Sequence, residues 1–517
     1  MRYADFRRLW LAQFTSNIGS WMQTVAAQWV MTSLTSSPLL LSAIQAAGSI
    51  PVLLLAVPAG TLGDLFDRKR VILWGQLLML IAAAALAVLS ALGGLTPAAL
   101  IGLLFVIGVG GALGAPTWQT LQPELVPGEV RSQAIALGSV NQNLARAVGP
   151  AIGGLLLAVS SAAFVFGVNA ASFVAVLGAV MITRIPVRER TLPREHAFAA
   201  MRAGGRFVAN SPTLLAVIAR TIGFVFFAGA IWALLPLVAR ERLGLGSGGY
   251  GLLLGCVGVG ALLAANFGPA LRRRLSPRAI YALACALVAV AAAVLAITHS
   301  VALAAVVLVI AGVAWITGLG ILSTAYQGQL PTWAKARAFA YYLVAFQGAM
   351  GVGSLAIGAV AQGTSVRTGL LVVAAGMLVC LLATWRLVLP ANSGGDEHLS
   401  DPLPLPDIED PNDRGPVSVT VEYELQPPKV DAFLALTGEL RRMRRRTGAV
   451  HWHMHRDIDD TSHFSETFIV ATWEEHEHQH ARVERADQQL LSQIDALLAP
   501  GHPRVARHAV GVKPARR

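Results

Sequence analysis

Twelve apolar runs of roughly bilayer-spanning length follow one another along the first 390 residues, and no other feature limits the fold so tightly. They fall near 10–32, 39–62, 71–91, 98–120, 132–157, 163–183, 213–239, 249–271, 279–298, 301–325, 336–361 and 367–389. Backbone inside hydrocarbon must satisfy its own hydrogen bonds, and runs of this length do so as helices. Composition agrees: of 517 residues, 55% are hydrophobic and 13% charged, with a mean hydropathy of +0.59. A soluble chain is about a quarter charged, so a soluble, disordered or disulfide-built protein is excluded. Cys256, Cys285 and Cys380 all sit in apolar runs and read as buried thiols. The first run carries Asn17, Trp21 and Gln28 without a small-residue cleavage site, so a membrane helix is expected there rather than a removed leader.

Basic residues then orient the runs. One set of loops holds Arg2, Arg7, Arg8, the Arg68–Arg70 trio, Arg131, six arginines from Arg184 to Arg206, Arg272–Arg274, Arg278, Lys335, Arg337 and Arg386. That makes 20, and the alternate loops hold only Arg240, Arg242 and Arg367. Lysine and arginine are retained on the cytoplasmic side. An even span count, both termini in the cytoplasm and a multi-pass place in a bacterial inner (plasma) membrane are therefore expected. The net charge of +11 is an average of two unlike parts: residues 1–390 hold 25 Lys/Arg and 8 Asp/Glu, residues 391–517 hold 15 and 21. The surplus encodes orientation, so membrane lipid is an expected partner and nucleic acid is not.

The spans divide six and six about a basic central loop. The expected parts are a bundle at 1–183, a cytoplasmic loop at 184–212, a second bundle at 213–390, a linker at 391–415 and a soluble domain at 416–512. Weak internal repetition supports duplication. Leu125-Val126-Pro127, Arg131, Gln142, Gly149 and Gly153 before and along the fifth span echo Leu330-Pro331, Arg337, Gln347, Gly353 and Gly358 at the eleventh. Gln142 to Gly153 and Gln347 to Gly358 are the same distance apart in sequence.

This layout, with the turn Gly60-Thr61-Leu62-Gly63-Asp64-Leu65-Phe66-Asp67-Arg68-Lys69-Arg70, resembles the major facilitator superfamily, whose pattern there is G-x-L-a-D-r-x-G-R-k. Gly60, Leu62, Asp64, Arg68 and Lys69 match, while Leu65 replaces a basic residue and Asp67 a glycine. The stretch Leu330–Ala338, with Phe346-Gln347-Gly348 and Gly353-Ser354, is similar to a narrower group, the enterobactin exporters and transmembrane secretion effectors. The resemblance implies an all-α membrane fold of two pseudo-symmetric six-helix bundles that transports by alternating access. It also implies that Gly60, Asp64 and Arg68 form a cytoplasmic latch favouring the outward-open state; a basic loop that only fixes topology is the plainer reading. Gly149-Pro150 and Gly153-Gly154 resemble the fifth-span motif found mainly in exporters, which implies proton antiport, although Ala145 stands where that pattern prefers glycine. Small residues there permit close helix packing and Pro150 a bend. No Asp or Glu falls within a span. Asp5, Asp64 and Glu124, at the cytoplasmic edge, are the acids left for coupling to a proton gradient.

Arg146 is the residue a membrane helix tolerates least, costing about 2.5–3.5 kcal/mol near the centre. It shares a helix face with Asn143 and Pro150, which is expected to line a watery cavity where Arg146 holds an anionic group; bonding to backbone carbonyls is the competing role. Arg220, in the seventh span, is a second candidate, with snorkelling to the interface as its alternative. Asn17, Trp21, Thr24 and Gln28 form a polar stripe along the first span, Gln142 lies on the fifth, and Tyr342 and Gln347 lie on the eleventh. Asn17, Trp21, Gln28, Gln142, Asn143, Arg146, Arg220, Tyr342 and Gln347 thus form the candidate cavity for a small anionic or amphipathic molecule. Interhelical hydrogen bonding is the alternative for each polar member.

Beyond a linker rich in Asp, Pro, Gly and Ser, Val417, Val419, Val421, Tyr423 and Leu425 alternate with polar residues as a half-buried strand does. Val430, Phe433, Leu436, Leu440 and Met443 follow helical spacing, and strands near 449–457 and 463–473, a helix near 475–498 and a strand near 504–512 complete β-α-β-β-α-β. That is the ferredoxin-like order. It resembles the dimeric antibiotic-biosynthesis-monooxygenase domain at Trp452, Asp457, Glu466, Trp473, His476, Gln479, His480 and Arg482, which implies possible dimerisation through this domain. His476-Glu477-His478-Gln479-His480 satisfies H-E-x-x-H, but no third ligand or protease context is evident. His451, His453 and His455 alternate on one strand face, as a solvated or dimer-facing strand or a surface metal site. No catalytic residue, cofactor or metal is expected. The reading is an exporter driven by proton antiport, with a membrane-anchored enzyme acting through the tail, or an importer, as alternatives.

Overall fold

A computed structural model describes residues 3–65, 67–183, 197–331, 333–390 and 416–511. Two compact units divide the chain: Met1–Pro193, Val217–Ser323 and Tyr342–Ala391 form one, and Arg194–Ala216, Thr324–Tyr341 and Asn392–Arg517 the other.

The first unit is built on long helices. These are α1 (Ala4–Leu34), α2 (Pro38–Leu65), α3 (Arg68–Ala91), α4 (Pro97–Glu124), α5 (Arg131–Val159) and α6 (Ala162–Ile182), followed, after a short amphipathic α7 (Ala197–Ala209), by α8 (Pro212–Leu237), α9 (Ser247–Arg274), α10 (Pro277–Ile297), α11 (Val301–Gln327), α12 (Lys335–Gly363) and α13 (Val366–Thr384). Side-chain caps start several of them: Asp67 accepts from Arg70 N at 3.0 Å, and Ser161, Ser276 and Ser365 cap α6, α10 and α13. Each cap supplies a partner for one of the first, otherwise orphaned N–H groups. Ten of these helices are long and apolar enough to cross a membrane. Among the described residues, α1 and α5, which carry the polar stripe and Arg146, are not in that set, and they pack against each other. A polar pair of this kind is stable in a bundle only when other helices shield it from lipid.

Small residues set the crossings. A Cβ on Gly153 of α5 would lie 2.7 Å from Met22 Cα of α1, and one on Gly353 of α12 would lie 2.7 Å from Phe226 Cα of α8. Each helix also leans on the opposite half: Gly154 meets Gly251 of α9, its Cβ falling 2.5 Å from the Gly251 Cα, and Gly358 meets Ser42 of α2. The α5–α1–α9 set is thus repeated by α12–α8–α2, the geometric counterpart of the sequence repeat.

The second unit carries an antiparallel sheet of β1 (Val417–Glu424), β2 (His451–Arg456), β3 (His463–Val470) and β4 (Val505–Val510) in the order β2-β3-β1-β4. Alternate residues Val417, Val419, Val421 and Tyr423 point into a core shared with Phe433, Leu440 and Met443 of α14 (Val430–Thr447). The helix expected over 475–498 is two, α15 (Trp473–Ala481) and α16 (Arg485–Asp495), because Glu484 and Asp487 form a capping box that starts a new helix. This unit also takes in α7 and the stretch before α12. Arg206 of α7 pairs with Glu475 at 2.8 Å, Glu475 accepts from Arg482 at 2.8 Å, and the Arg482 guanidinium stacks over Trp333 at 4.4 Å. Residues 194–216 and 324–341 therefore group with the tail, a division that cuts across the loop and bundle boundaries expected from hydropathy. The linker at 391–415 lies outside the described residues.

Candidate functional site

A polar seam runs between α1 and α5. Asn17 donates to Asn141 Oδ1 at 2.8 Å, and Asn141 in turn donates to the carbonyl of Trp10 at 3.0 Å. One turn further along, the Arg146 guanidinium lies over the Trp21 ring, 5.7 Å from its centroid. Trp21 is held there by Gly149, where a Cβ would fall 2.6 Å from the Trp21 Cβ. Arg146 makes no ion pair among the described residues, and its buried Nε has no hydrogen-bond partner. A cation–π contact is worth about 2 kcal/mol when desolvated, and it leaves Nε without a hydrogen-bond partner among the described residues. Asn17, Trp21, Arg146 and Gly149 are thus brought together, with the buried Pro150 and Gly153 continuing the same helix.

Other expected cavity residues go elsewhere. Gln28 is buried and accepts from the Tyr250 hydroxyl of α9. Arg220 is 1% exposed and donates through Nη2 to the carbonyls of Thr384 and Leu387 at 2.8 and 2.7 Å, beneath the Tyr281 ring. Its Nη2 thus secures the end of α13, while Nε and Nη1 have no hydrogen-bond partner among the described residues. Tyr342 is buried, Gln347 half-buried and Gln142 accessible, while the side chain of Asn143 lies outside the described residues. Sequence reasoning missed Asn141, the buried Gln23–Asn169 pair at 2.7 Å joining α1 to α6, and an aromatic cluster of Trp232, Trp315 and Phe346. Isolated amides offer a faint signal in apolar runs, and aromatics there offer none.

At the turn before α3, Gly60 and Asp64 lie outside the described side chains. Arg68 pairs with Glu124 at the end of α4, 2.7 Å away, and Lys69 donates to the carbonyls of Met181 and Thr183 at the end of α6. Cations at helix C-termini meet the negative end of the helix dipole. Asp67, the departure from the superfamily pattern, has become the N-cap of α3. At the opposite, arginine-poor end, Arg240 follows α8 in a π-turn, Val238–Arg242, and donates to both the carbonyl and the hydroxyl of Thr32 on α1. With Tyr250–Gln28, Gly154–Gly251 and Gly358–Ser42, this joins the two halves of the bundle at that end.

In the tail, most of the residues that carried the sequence resemblance are engaged in packing and hydrogen bonds. Glu466, fully buried, accepts from Arg444 at 3.0 and 3.1 Å, Tyr423 at 2.7 Å and Trp452 at 2.7 Å. Asp457 closes the β2–β3 turn through the amides of Asp459 and Asp460, which hold its carboxyl below the usual range. Gln479 donates to Thr447 and His476 lies 3.1 Å from its oxygen. Burial, then neighbouring His480, push the His476 imidazole down to about 4. Glu477 accepts from Trp473 at 3.0 Å and so is turned away from the role of a metalloprotease base.

A bundle of long apolar helices with two polar ones at its seam, joined half to half by glycine crossings, defines a multi-pass membrane transporter of the major facilitator fold. The chain belongs to the transmembrane secretion effector family, whose profile matches residues 1–515. It is similar to the enterobactin exporter EntS of Salmonella choleraesuis (strain SC-B67), 31% identical over 263 residues, which are 50% of this chain and 62% of that protein. It is also similar to the multidrug efflux pump Tap of Mycolicibacterium fortuitum, 28% identical over 212 residues, 39% of this chain and 52% of that one. The chain thus spans less than two thirds of the length of these curated relatives. Among solved structures, a point variant of the nucleoside transporter NupG matches with a TM-score of 0.60 at 13% identity, covering 74% of this chain and 99% of that one. An inward-facing, occupied bacterial homolog of the lysosomal transporter Spinster matches with a TM-score of 0.60 at 15% identity, covering 75% and 97%. These likenesses give the fold. The family is one of transporters and not of enzymes, so the membrane-anchored enzyme reading is set aside.

Proposed function

We propose that this protein exports a small molecule bearing an anionic group from the cytoplasm across a bacterial inner membrane, by alternating access and proton antiport, and that Arg146 binds the anionic group. The observation that carries the reading is the arginine itself: a guanidinium inside a membrane bundle, stacked on Trp21, with its buried Nε unpartnered. A charge left in this state costs free energy unless a ligand meets it. Asn17 stands on the same seam, and Trp232, Trp315 and Phe346 supply an aromatic counterpart on the other half, which suits an amphipathic molecule. Contacts joining the halves at the arginine-poor end favour a state that opens towards the basic, cytoplasmic side, as a solute leaving the cell requires. Two relatives whose names describe export support that direction.

The test is a comparison of culture media and cell extracts from wild-type and deletion strains. An anionic compound depleted from the medium and accumulated in cells lacking the protein is the expected result. Failure of such cells to take up an external compound, with no internal accumulation of any metabolite, would make the protein an importer and overturn the proposed direction.

A further inference from the structure

Three imidazoles, two one helical turn apart in sequence and the third distant from them, meet at one point of the tail. His476 and His480 stand one turn apart on α15, and His508 reaches them from β4. The ring centroids of His476 and His480 are 4.6 Å apart, those of His476 and His508 4.9 Å, and one ring nitrogen from each lies within 4.8 Å of the others. His476 is fully buried, and its Nε2 has no hydrogen-bond partner among the described residues.

The tautomer of His476 follows from its neighbours. The amide nitrogen of Gln479 donates to Thr447 Oγ1 at 3.3 Å, so the amide oxygen faces His476 Nδ1 at 3.1 Å and must accept a proton from it. Nδ1 therefore carries the hydrogen, and Nε2 presents a lone pair. A buried acceptor left unmet costs about 1–3 kcal/mol, whereas a ring nitrogen oriented by a hydrogen bond on its other side is the usual state of a metal-bound histidine.

We propose that His476, His480 and His508 form a binding site for a first-row divalent cation of the zinc type, with water in a fourth position. Imidazole suits such ions, and three protein ligands plus one open place is a stable arrangement for zinc. Metal–nitrogen bonds of about 2.0–2.1 Å place tetrahedral ligands roughly 3.4 Å apart. The three rings thus close by on the order of 1 Å, through side-chain rotation at the two half-buried members. His480 and His508 give the ion access from solvent. With Glu477 committed to Trp473, the ion has no adjacent general base, and its role is to bind β4 to α15, the helix whose Glu475 pairs with Arg206 of α7.

The test uses the untagged full-length protein in detergent, stripped of metal and titrated with Co²⁺ as a coloured probe, with Zn²⁺ as competitor. The expected result is one equivalent of Co²⁺ with tetrahedral-type visible bands that Zn²⁺ abolishes. His480→Ala and His508→Asn, both at half-buried positions, should each weaken binding by at least about tenfold. The double variant His453→Ala/His455→Ala, on β2 at the opposite edge of the sheet from β4, should bind as the parent does. Bands retained in His480→Ala/His508→Asn, bands lost in the β2 variant, or no stoichiometric binding at all would each overturn the proposal. Agreement of the melting curves of metal-free variants and parent separates loss of the site from loss of the fold.

Discussion

Arg146 in the bundle and Arg444 in the tail are both arginines largely hidden from water, and they are held in opposite ways. Arg444 gives two bonds to Glu466, which is itself met by Tyr423 and Trp452, so that the carboxylate ends with four donors. Arg146 has the face of Trp21 and no carboxylate among the described residues. A buried charge whose partners are all present is a piece of architecture. One whose partners are missing is stable only if something arrives to meet it. Arg220 stands between the two: carbonyls at the end of α13 take its Nη2, while its Nε and Nη1 have no hydrogen-bond partner among the described residues.

The contrast can be broken most readily at Arg444. Arg444→Met leaves Glu466 charged and buried, and should destabilise the tail by about 3–5 kcal/mol, seen as early protease sensitivity of the tail in the full-length protein. Arg444→Met/Glu466→Gln should recover most of that loss. A single variant as resistant as the parent would show that the two arginines do not differ as described. Next in size is Gly153→Leu, whose side chain must displace Met22 backbone on α1; overpacking of this kind costs about 1–3 kcal/mol and should lower the melting temperature in detergent. Arg146→Met should do the reverse, melting at or slightly above the parent, because it removes a charge that has no fixed partner. A clear fall in melting temperature would move Arg146 to the architectural class. Smallest is Gly351→Ala, at the position on α12 that the internal repeat aligns with Arg146. A Cβ there meets nothing closer than 3.5 Å, so stability should change by less than about 0.5 kcal/mol.

Much of the helical plan was legible in the sequence, because hydrocarbon imposes a length on each apolar run. The repeat of Gln142 to Gly153 and Gln347 to Gly358 foretold two equivalent helices, and Gly149 against Trp21 of α1 and Gly353 against Phe226 of α8 do sit at matching crossings. What hydropathy could not do was rank polar residues: Arg146 and Arg220 look alike in a run of apolar neighbours, and only the carbonyls of Thr384 and Leu387 tell them apart. Nor could spacing join residues far apart in sequence. Trp333 and Arg482 each belonged to a recognisable motif, yet their stacking, which draws 324–341 towards the tail, depends on tertiary contact. His508 stood alone in a strand, so the third imidazole beside His476 and His480 had no signal. The single helix expected over 475–498 failed at Glu484, where a short acidic capping box was read as helix interior.

The central claim, that Arg146 meets an anionic group of the exported molecule, is tested most directly by transport itself. The compound found depleted from the medium of deletion cells would be followed in that strain carrying the parent, Arg146→Ala or Arg146→Lys at equal membrane levels. Export by Arg146→Ala should fall at least about tenfold, equivalent to roughly 1.4 kcal/mol, with Arg146→Lys retaining an intermediate rate because it keeps the charge but not the fork of donors. Undiminished export by Arg146→Ala would contradict the account.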